Sequence, residues 1–253
     1  MARLPRVDRR DLAARIAGFS RWHYEFELDG QLTPVSREIA HRHPARRGHV
    51  LGAVQRQLGG RLDGLRVLDL GCNAGFWSLA ALEAGAESVV GVDARAMHIE
   101  QAELVFAVKG VDADRYRFVE SDIFDLDIAR HGRFDVCLCL GLLYHVGRPV
   151  ELLGMIAASG ASMLVIDTAL STAAGSMLEI CHDDIDDPRD AVGRRLVMWP
   201  TIQAVVDLVA EFGFQAAVIE PEFEDWTGLE DYRSGRRRAV ICVRAPTEGR
   251  AGG

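Results

Sequence analysis

From Arg66 onward the sequence alternates short apolar or β-branched runs with longer helical segments. This alternation predicts a parallel sheet with helices packed on its faces. Seven runs are predicted as strands, at 66–70, 88–92, 116–120, 134–140, 162–167, 216–221 and 238–243. Helices with apolar residues at spacings of three and four are predicted between them, at 76–84, 96–108, 150–158 and 201–212. We therefore expect an α/β protein with one seven-stranded sheet.

Other segments are expected to elaborate this sheet domain, which we place at 61–245. Residues 1–60 are predicted to form an N-terminal helical cap, with helices over 8–26 and 36–58 and a break at Pro44. Residues 170–200 show no clear periodicity, which predicts a lid or insertion. The glycine-rich segment 246–253 is expected to be a flexible tail.

Composition favours an ordinary globular protein, because 49% of the residues are hydrophobic and 26% are charged. The apolar runs are shorter than the roughly 20 residues that cross a bilayer, and we find no secretory signal pattern. We expect a cytoplasmic protein without a membrane span. The net charge of −8 argues mildly against a nucleic-acid partner. Five cysteines without a ligand-like spacing predict neither disulfides nor a metal site.

The residues that carry the strongest functional signal are V-L-D-L-G-C-N-A-G-F-W at 67–77. A buried strand here enters a glycine-containing turn and then a helix, so the backbone can approach a ligand closely. Asparagine tolerates a positive φ better than other residues that carry a Cβ, so we expect Asn73 to adopt one. A structural strand-to-helix connection is the alternative interpretation. The candidate cofactor-binding residues of this segment are Asp69, Gly71, Asn73, Gly75 and Phe76.

A second strand ends at Asp93, where an acid is positioned to accept hydrogen bonds from both hydroxyls of an adenosine ribose. We include the adjacent Ala94 in the predicted site. The turn lacks the G-x-G-x-x-G spacing that places a pyrophosphate at a helix N-terminus, which disfavours a dinucleotide. A solvated loop acid is the alternative for Asp93.

Two further strand ends complete the predicted cofactor site. After the third strand, Asp122 is placed to accept from an adenine amino group, and Ile123 to donate its backbone amide. Capping of a turn is the alternative role for Asp122. After the fourth strand, Gly141, Leu142 and Tyr144 are expected beside the reactive end of the cofactor, because ligands bind at the carboxyl ends of such strands.

These elements resemble the class I S-adenosylmethionine-dependent methyltransferases. A looser likeness, to the branch that contains the tRNA wobble-uridine carboxymethyltransferases and their small-molecule relatives, rests on L-D-G-Q-L-T-P at 28–34, G-C-N-A-G-F at 71–76, G-L-L-Y-H at 141–145 and W-P-T at 199–201. The resemblance implies a Rossmann-like, doubly wound fold and S-adenosyl-L-methionine as cofactor. The extended basic domain of the tRNA enzymes is not recognisable, so the ordinary cofactor is expected rather than its carboxylated form.

Methyl transfer depends mainly on positioning, and a base is needed only when the acceptor must lose a proton. His145 is the first candidate for that base, because a neutral imidazole accepts protons near pH 7. Lining the methionine end of the cofactor is its alternative role. His182 is a second candidate, for which an exposed position is the alternative.

Two basic clusters and an aromatic group remain without an assigned role. The clusters, either anion-binding or merely solvated, are Arg37, Arg42, Arg46 and Arg47, and Arg233, Arg236, Arg237 and Arg238. Trp22, Tyr24 and Phe26 are predicted either to close over a planar acceptor or to pack the N-terminal helix on the sheet.

The sequence favours methyl transfer from S-adenosylmethionine to an oxygen or nitrogen of a small molecule, for example a natural-product intermediate. One alternative is a tRNA-modifying methyltransferase or carboxymethyltransferase, with nucleic acid as the partner. The other is a cofactor-binding scaffold or regulatory protein without catalysis, because a fold by itself does not imply a reaction. The acceptor and the oligomeric state are left open.

Overall fold

The computed structural model describes residues 9–184, 186–187, 193 and 195–245. Strands among these residues are β1 Glu27–Leu28, β2 Gln31–Leu32, β3 Arg66–Leu70, β4 Ser88–Asp93, β5 Tyr116–Glu120, β6 Val136–Leu140, β7 Met163–Ala169, β8 Leu178–His182, β9 Leu196–Pro200, β10 Phe214–Ile219 and β11 Arg237–Arg244. The α-helices are α1 Arg9–Gly18, α2 Arg37–Leu58, α3 Phe76–Glu83, α4 Ala96–Lys109, α5 Pro149–Ala158, α6 Ile202–Glu211 and α7 Glu230–Arg233. The tail predicted at 246–253 lies outside the described residues, as does position 8 of the first predicted helix.

Seven strands form one central sheet in the order β10-β11-β7-β6-β3-β4-β5. Neighbouring strands are parallel except in the two pairs that involve β11. From β3 the strand order grows one way through β4 and β5, and the other way through β6 and β7. This reversal defines a doubly wound α/β sheet and opens a crevice at the carboxyl ends of β3 and β6. The predicted Rossmann-like, mostly parallel sheet is confirmed.

The helices cover both faces of the sheet with two apolar layers. On one face, side chains of α2, α3 and α4 pack with Val67 and Leu138 of the central strands. On the other face, α5 and α6 pack with Leu68 and Ile166. Successive residues of a buried strand point to opposite faces, so β3 supplies both layers and is apolar almost throughout.

The predicted strands and helices of the sheet domain differ from the observed ones by at most two residues at either end. The two ends of α6 show why such helix ends can be predicted from the sequence. The Thr201 hydroxyl accepts a hydrogen bond from the backbone N–H of Ala204 at 3.2 Å, and Gly213 adopts a φ of 79° after the helix. Both signals were available from residue type alone.

The break predicted at Pro44 is wrong, because α2 continues through it as one helix. Proline removes one backbone donor from a helix, which costs stability. Here the neighbouring turn is held by tertiary contacts: His43 and Arg46 are 1% and 4% exposed, and Arg46 forms an ion pair with Asp167 of β7 at 3.0 Å. These contacts stabilise the helix on both sides of the proline.

The first helix is shorter than the predicted 8–26, since α1 ends at Gly18. The chain then runs without helix through the aromatic group. Trp22, Tyr24 and Phe26 are at most 5% exposed, and the Tyr24 ring stacks on Phe76 with centroids 4.6 Å apart. The group therefore packs the N-terminal segment on the sheet domain. This agrees with the prediction that these aromatic residues pack the N-terminal segment rather than only close over an acceptor.

The segment 170–200, for which the sequence predicts no regular structure, contains an antiparallel hairpin of β8 and β9. Its alternation of apolar and polar residues is obscured because one face bears exposed apolar side chains. Ile180 is 61% and Leu196 is 44% exposed, whereas Val197 on the opposite face is fully buried. None of the helices in the described part of the chain has the length and apolar character to span a bilayer.

Candidate active site

A cavity of about 740 Å³ lies at the carboxyl ends of the parallel strands. Its floor comes from the ends of β3, β4 and β6, and its walls from the loop after β5, α2, β9, α7 and β11. Pockets that hold small ligands typically measure roughly 300–1,000 Å³. The cavity therefore lies where the strand order reverses, and it is large enough for a cofactor-sized ligand.

The turn after β3 is tied to the neighbouring strand by its backbone. The N–H groups of Gly71 and Cys72 both donate to the Val92 carbonyl, at 2.8 and 2.9 Å. Asn73 has a φ of 50°, which confirms the predicted left-handed position. Its side-chain oxygen accepts from the Ala74 N–H at 2.7 Å, and its amide nitrogen lies 3.2 Å from Nε2 of His98. The asparagine thus stabilises the turn through both its backbone and its side chain.

Asp93 stands at the tip of β4 in the cavity wall, beside this turn. Its carboxylate accepts from the backbone N–H groups of Asn73 and Arg95, at 2.9 and 3.0 Å. Nδ1 of His98 lies 3.0 Å from the same carboxylate. These contacts fix the orientation of a carboxylate that is 11% exposed toward the cavity.

The loop after β5 presents a second acid and an unpaired backbone donor. The Asp122 carboxylate accepts from the Phe124 N–H at 2.9 Å, so it caps the turn and also lines the cavity. The N–H of Ile123 makes no hydrogen bond to a described residue, and Ile123 lines the same wall. A carboxylate acceptor beside a free amide donor matches the amino group and ring nitrogen on the edge of adenine. The residues present therefore fit an adenosine-containing ligand.

Three predicted site residues lie behind the cavity rather than in its lining: Asp69, Gly75 and Phe76. Gly75 is the N-cap residue before α3 and has a φ of 77°, and a Cβ there would lie 3.0 Å from the Phe106 ring. Asp69 is 1% exposed and accepts from the Ser78 hydroxyl at 2.7 Å. Burial raises the pKa of Asp69 to about 7 despite that hydrogen bond.

The predicted segment after β6 lines the cavity, and the predicted residues Gly71 and Ala94 do so as well. Gly141 adopts a φ of 90° and is followed by a short 3₁₀ turn, Leu143–His145. The turn brings the rings of Tyr144 and His145 together, with centroids 4.0 Å apart. Both side chains and Leu142 thereby face the region where the predicted reactive end of the cofactor would lie.

His145 is paired with an acid that the sequence did not single out. Its Nδ1 lies 2.5 Å from Oδ2 of Asp183, which follows β8, and both side chains are at most 13% exposed. A carboxylate at Nδ1 fixes the ring orientation and favours the tautomer with the proton on Nδ1. The other histidine candidate, His182, is exposed on the hairpin and lies outside the cavity lining.

A buried ion-pair network forms the far wall of the cavity and joins the two basic clusters. Arg46 of α2 and Arg237 of β11 both donate to Asp167 of β7, at 3.0 and 2.9 Å, and the Tyr232 hydroxyl donates to the same carboxylate. Burial alone would raise the pKa of Asp167, but the two guanidinium groups hold it well below its usual range. Of the two interpretations of the basic clusters, the solvated one is therefore wrong for Arg46 and Arg237, which are 4% and 6% exposed.

The network continues to the cavity surface through two further contacts. Arg237 donates from Nε to Asp231 at 2.7 Å and from its terminal nitrogen to the Tyr144 hydroxyl at 3.1 Å. Asp231 also forms a bidentate pair with Arg42, at 2.6 and 3.0 Å. Burial would raise the pKa of Tyr144, but Arg237 and His145 lower it below its usual value. Sequence spacing gave no sign of the Arg42–Asp231 and Arg237–Tyr144 contacts, because their members are 189 and 93 positions apart.

The comparisons with known proteins agree with this geometry. Residues 67–159 match a family model described as a methyltransferase domain. A ubiquinone biosynthesis O-methyltransferase of Pectobacterium atrosepticum is 32% identical over 145 residues, which are 57% of this chain and 54% of that protein. The corresponding protein of Escherichia coli O81 is 30% identical over 143 residues, or 56% and 53% of the two chains. The chain thus matches about half the length of these curated relatives.

Two solved structures extend the likeness to nearly the whole chain. The N-terminal domain of EvdMO1, crystallised in the presence of SAH and D-fucose, has a TM-score of 0.73 and 25% identity, covering 95% of this chain and 98% of that one. Magnesium protoporphyrin IX methyltransferase of Synechocystis PCC 6803, with bound SAH, has a TM-score of 0.59 and 19% identity, covering 93% and 94%, and shares the fold. Residues 67–159 therefore match a methyltransferase domain, and nearly the whole chain is similar in fold to a domain crystallised in the presence of SAH.

Proposed function

We propose that the protein transfers a methyl group from S-adenosylmethionine to a hydroxyl oxygen of a small molecule. The observation that carries this proposal is that one cavity is lined both by Asp93 and Asp122, which suit adenosine, and by the contacting pair His145 and Asp183, which suits a proton acceptor. The similarity to O-methyltransferases and to a domain crystallised with SAH supports the choice of reaction and cofactor. The names of the ubiquinone biosynthesis and magnesium protoporphyrin IX methyltransferases refer to small molecules, which supports a small acceptor over tRNA.

Each half of the cavity has a separate task in this proposal. Asp93 would accept from the ribose hydroxyls, and Asp122 with the Ile123 N–H would bind the adenine edge. The turn at Gly71 approaches the ligand closely, because a φ of 71° leaves the position to a residue without a Cβ. Leu142 and Tyr144 would bound the methionine end.

The bound cofactor supplies the electrophilic methyl group on a sulfonium. An attacking hydroxyl must lose its proton as the new C–O bond forms, and a neutral imidazole is a suitable acceptor near pH 7. His145 would take that proton, while Asp183 orients the ring and stabilises the imidazolium. The cavity walls would hold the acceptor oxygen in line with the methyl group, which is the main source of rate in such displacements.

The experiment is an incubation of the protein with methyl-labelled S-adenosylmethionine and a host metabolite extract, with host tRNA in parallel. Label in a low-molecular-mass product, together with formation of S-adenosylhomocysteine, is the expected result. Label in the tRNA fraction would instead support the RNA-modifying alternative. Cofactor binding by calorimetry without turnover in either pool would favour a non-catalytic scaffold.

A further inference from the structure

We infer that the acceptor is an uncharged, polyhydroxylated molecule of the sugar type, that Arg42, Glu38 and Glu230 bind its hydroxyl groups, and that the Trp199 ring packs against it. This inference rests on the proposed methyl transfer and names the class of its substrate. It concerns the half of the cavity formed by α2, β9, α7 and β11, on the opposite side of the sheet crevice from Asp93.

The side chains of this wall carry charges of both signs, which argues against a strongly charged acceptor. Its lining includes three arginines and three carboxylates, and the residues are Arg42, Arg46, Arg237, Glu38, Glu230 and Asp231. A strongly anionic ligand would meet the carboxylates, and a cationic one would meet the guanidinium groups. A neutral ligand whose groups both donate and accept hydrogen bonds meets neither penalty.

The hydrogen-bond inventory shows which of these groups remain for a ligand. Asp231 accepts two N–H groups at each oxygen and is saturated within the network. Arg42 uses three of its five N–H donors, two toward Asp231 and one toward the Gly228 carbonyl. Its remaining two donors have no partner among the described residues.

Two carboxylates, those of Glu38 and Glu230, line the same cavity as Arg42. Glu38 precedes Arg42 by one helical turn of α2, and its backbone carbonyl lies 3.0 Å from where a Cβ of Gly228 would be. Glu230 follows Gly228 closely and accepts its N–H at 3.2 Å with one oxygen, which leaves the second oxygen for a ligand. Guanidinium donors next to carboxylate acceptors are complementary to adjacent hydroxyl groups, since each hydroxyl donates and accepts.

Trp199 adds an aromatic surface near the reactive residues. Its side chain lines the cavity, whereas its indole Nε1 is inaccessible to solvent and therefore faces away from the cavity. The Trp199 ring meets the Tyr144 ring edge to face, with centroids 5.9 Å apart. The two rings offer an apolar surface for the C–H face of a sugar ring.

A flat, largely apolar phenol fits this wall poorly. It would strip water from Arg42, Glu38 and Glu230 and return few hydrogen bonds, and sites built of polar groups reject ligands that leave those groups unpaired. The wall therefore selects for a ligand with several hydroxyl groups.

The product of the labelling experiment identifies the acceptor class. The labelled small molecule is hydrolysed in dilute acid, and the expected labelled fragment is an O-methyl monosaccharide or another O-methyl polyol. Label confined to an aryl methyl ether would overturn the inference and leave methyl transfer intact. Absence of any labelled product, with cofactor binding retained, would overturn the proposed function and this inference with it.

Substitutions then test the assigned residues with the labelled acceptor. Glu230→Gln keeps the size of the side chain and removes its charge, so we expect KM for the acceptor to rise roughly 2- to 12-fold while cofactor affinity is unchanged. Glu38→Gln should raise the same KM. The matched control is Glu83→Gln, which lies outside the cavity lining. Parent-like KM values in both Glu230→Gln and Glu38→Gln would overturn the assignment.

Discussion

The carboxylate of Asp183 lies 2.5 Å from Nδ1 of His145, although the two residues are 38 positions apart in the sequence. The hairpin of β8 and β9 supplies the acid, and the turn after β6 supplies the imidazole. A segment outside the methyltransferase family match at 67–159 therefore completes the proposed base.

The first prediction concerns this pair. His145→Ala should lower kcat by roughly 10²–10⁴ and leave cofactor affinity nearly constant, because only proton removal is impaired. Asp183→Asn should lower kcat as well, since an amide no longer favours the productive tautomer. Steady-state kinetics and calorimetry on the same variants measure both quantities. His182→Ala, on the exposed hairpin, serves as the control. Normal turnover at saturation with weakened cofactor binding would show that His145 only lines the site.

The second prediction is that Asp93→Ala weakens S-adenosylmethionine binding. Loss of charge-assisted hydrogen bonds to the ribose should cost roughly 1.5–3 kcal/mol, or about 10- to 150-fold in Kd. Calorimetric titration checks the value, with Asp125→Ala as a control at an exposed acid outside the cavity lining. An unchanged Kd in the Asp93 variant would remove this assignment.

The third prediction follows from the φ of 50° at Asn73. Asn73→Gly should bind cofactor with an affinity close to that of the parent, because glycine adopts this conformation freely. Asn73→Val should bind weakly and melt earlier, since a β-branched side chain is strained there. Titration and thermal melting of both variants make the comparison, and equal behaviour of the two would contradict the turn geometry.

The fourth prediction concerns the stability of the far wall. Asp167→Asn should lower the free energy of unfolding by about 3–5 kcal/mol, because it leaves Arg46 and Arg237 buried without their shared counterion. Glu83→Gln removes the exposed partner of Arg47, whose side chain is 40% exposed, and should cost less than about 1 kcal/mol. Denaturant unfolding measures both. Equal losses would mean that the buried network contributes no more than a surface pair.

The fifth prediction is a pH dependence of stability carried by Asp69. Its pKa is raised to about 7 in the folded protein from an ordinary value near 3.8, so the folded state binds a proton more tightly than the unfolded state. The associated stability is complete below about pH 4 and is lost as the pH rises toward 7, by at most about 1.4 kcal/mol per pH unit. Asp69→Asn should lack this loss. Melting curves of both proteins between pH 4 and 8 test it, and parallel pH profiles would contradict it.

The sheet could be predicted from the sequence because each strand is a local apolar run bounded by turn residues. Asn73 was predictable for a similar reason, since its residue type and its place between two glycines determine its conformation. The helix through Pro44 and the hairpin of β8 and β9 were not predictable. Their stability comes from contacts that local propensity does not describe.

The proposed acceptor half of the site could not be predicted from the sequence either, because its residues are far apart along the chain. Arg46 and Arg237 belong to two basic clusters whose pattern is typical of solvent-exposed surfaces, and Asp167 is the last residue of a predicted strand. Only the fold brings them to one point, across separations of 121 and 70 residues. The cofactor half, by contrast, is built from residues that directly follow their strands.

The long reach of the Arg46 network has a consequence for synthesis on the ribosome. Asp167 is added 121 positions after Arg46, and Tyr232 186 positions after it. Until β7 has emerged, α2 carries a cation whose burial lacks a counterion, so docking of that helix is disfavoured in the nascent chain. Tyr232 and Arg237 follow later still, so a chain interrupted before β11 would hold the proposed cofactor half of the site without a complete far wall.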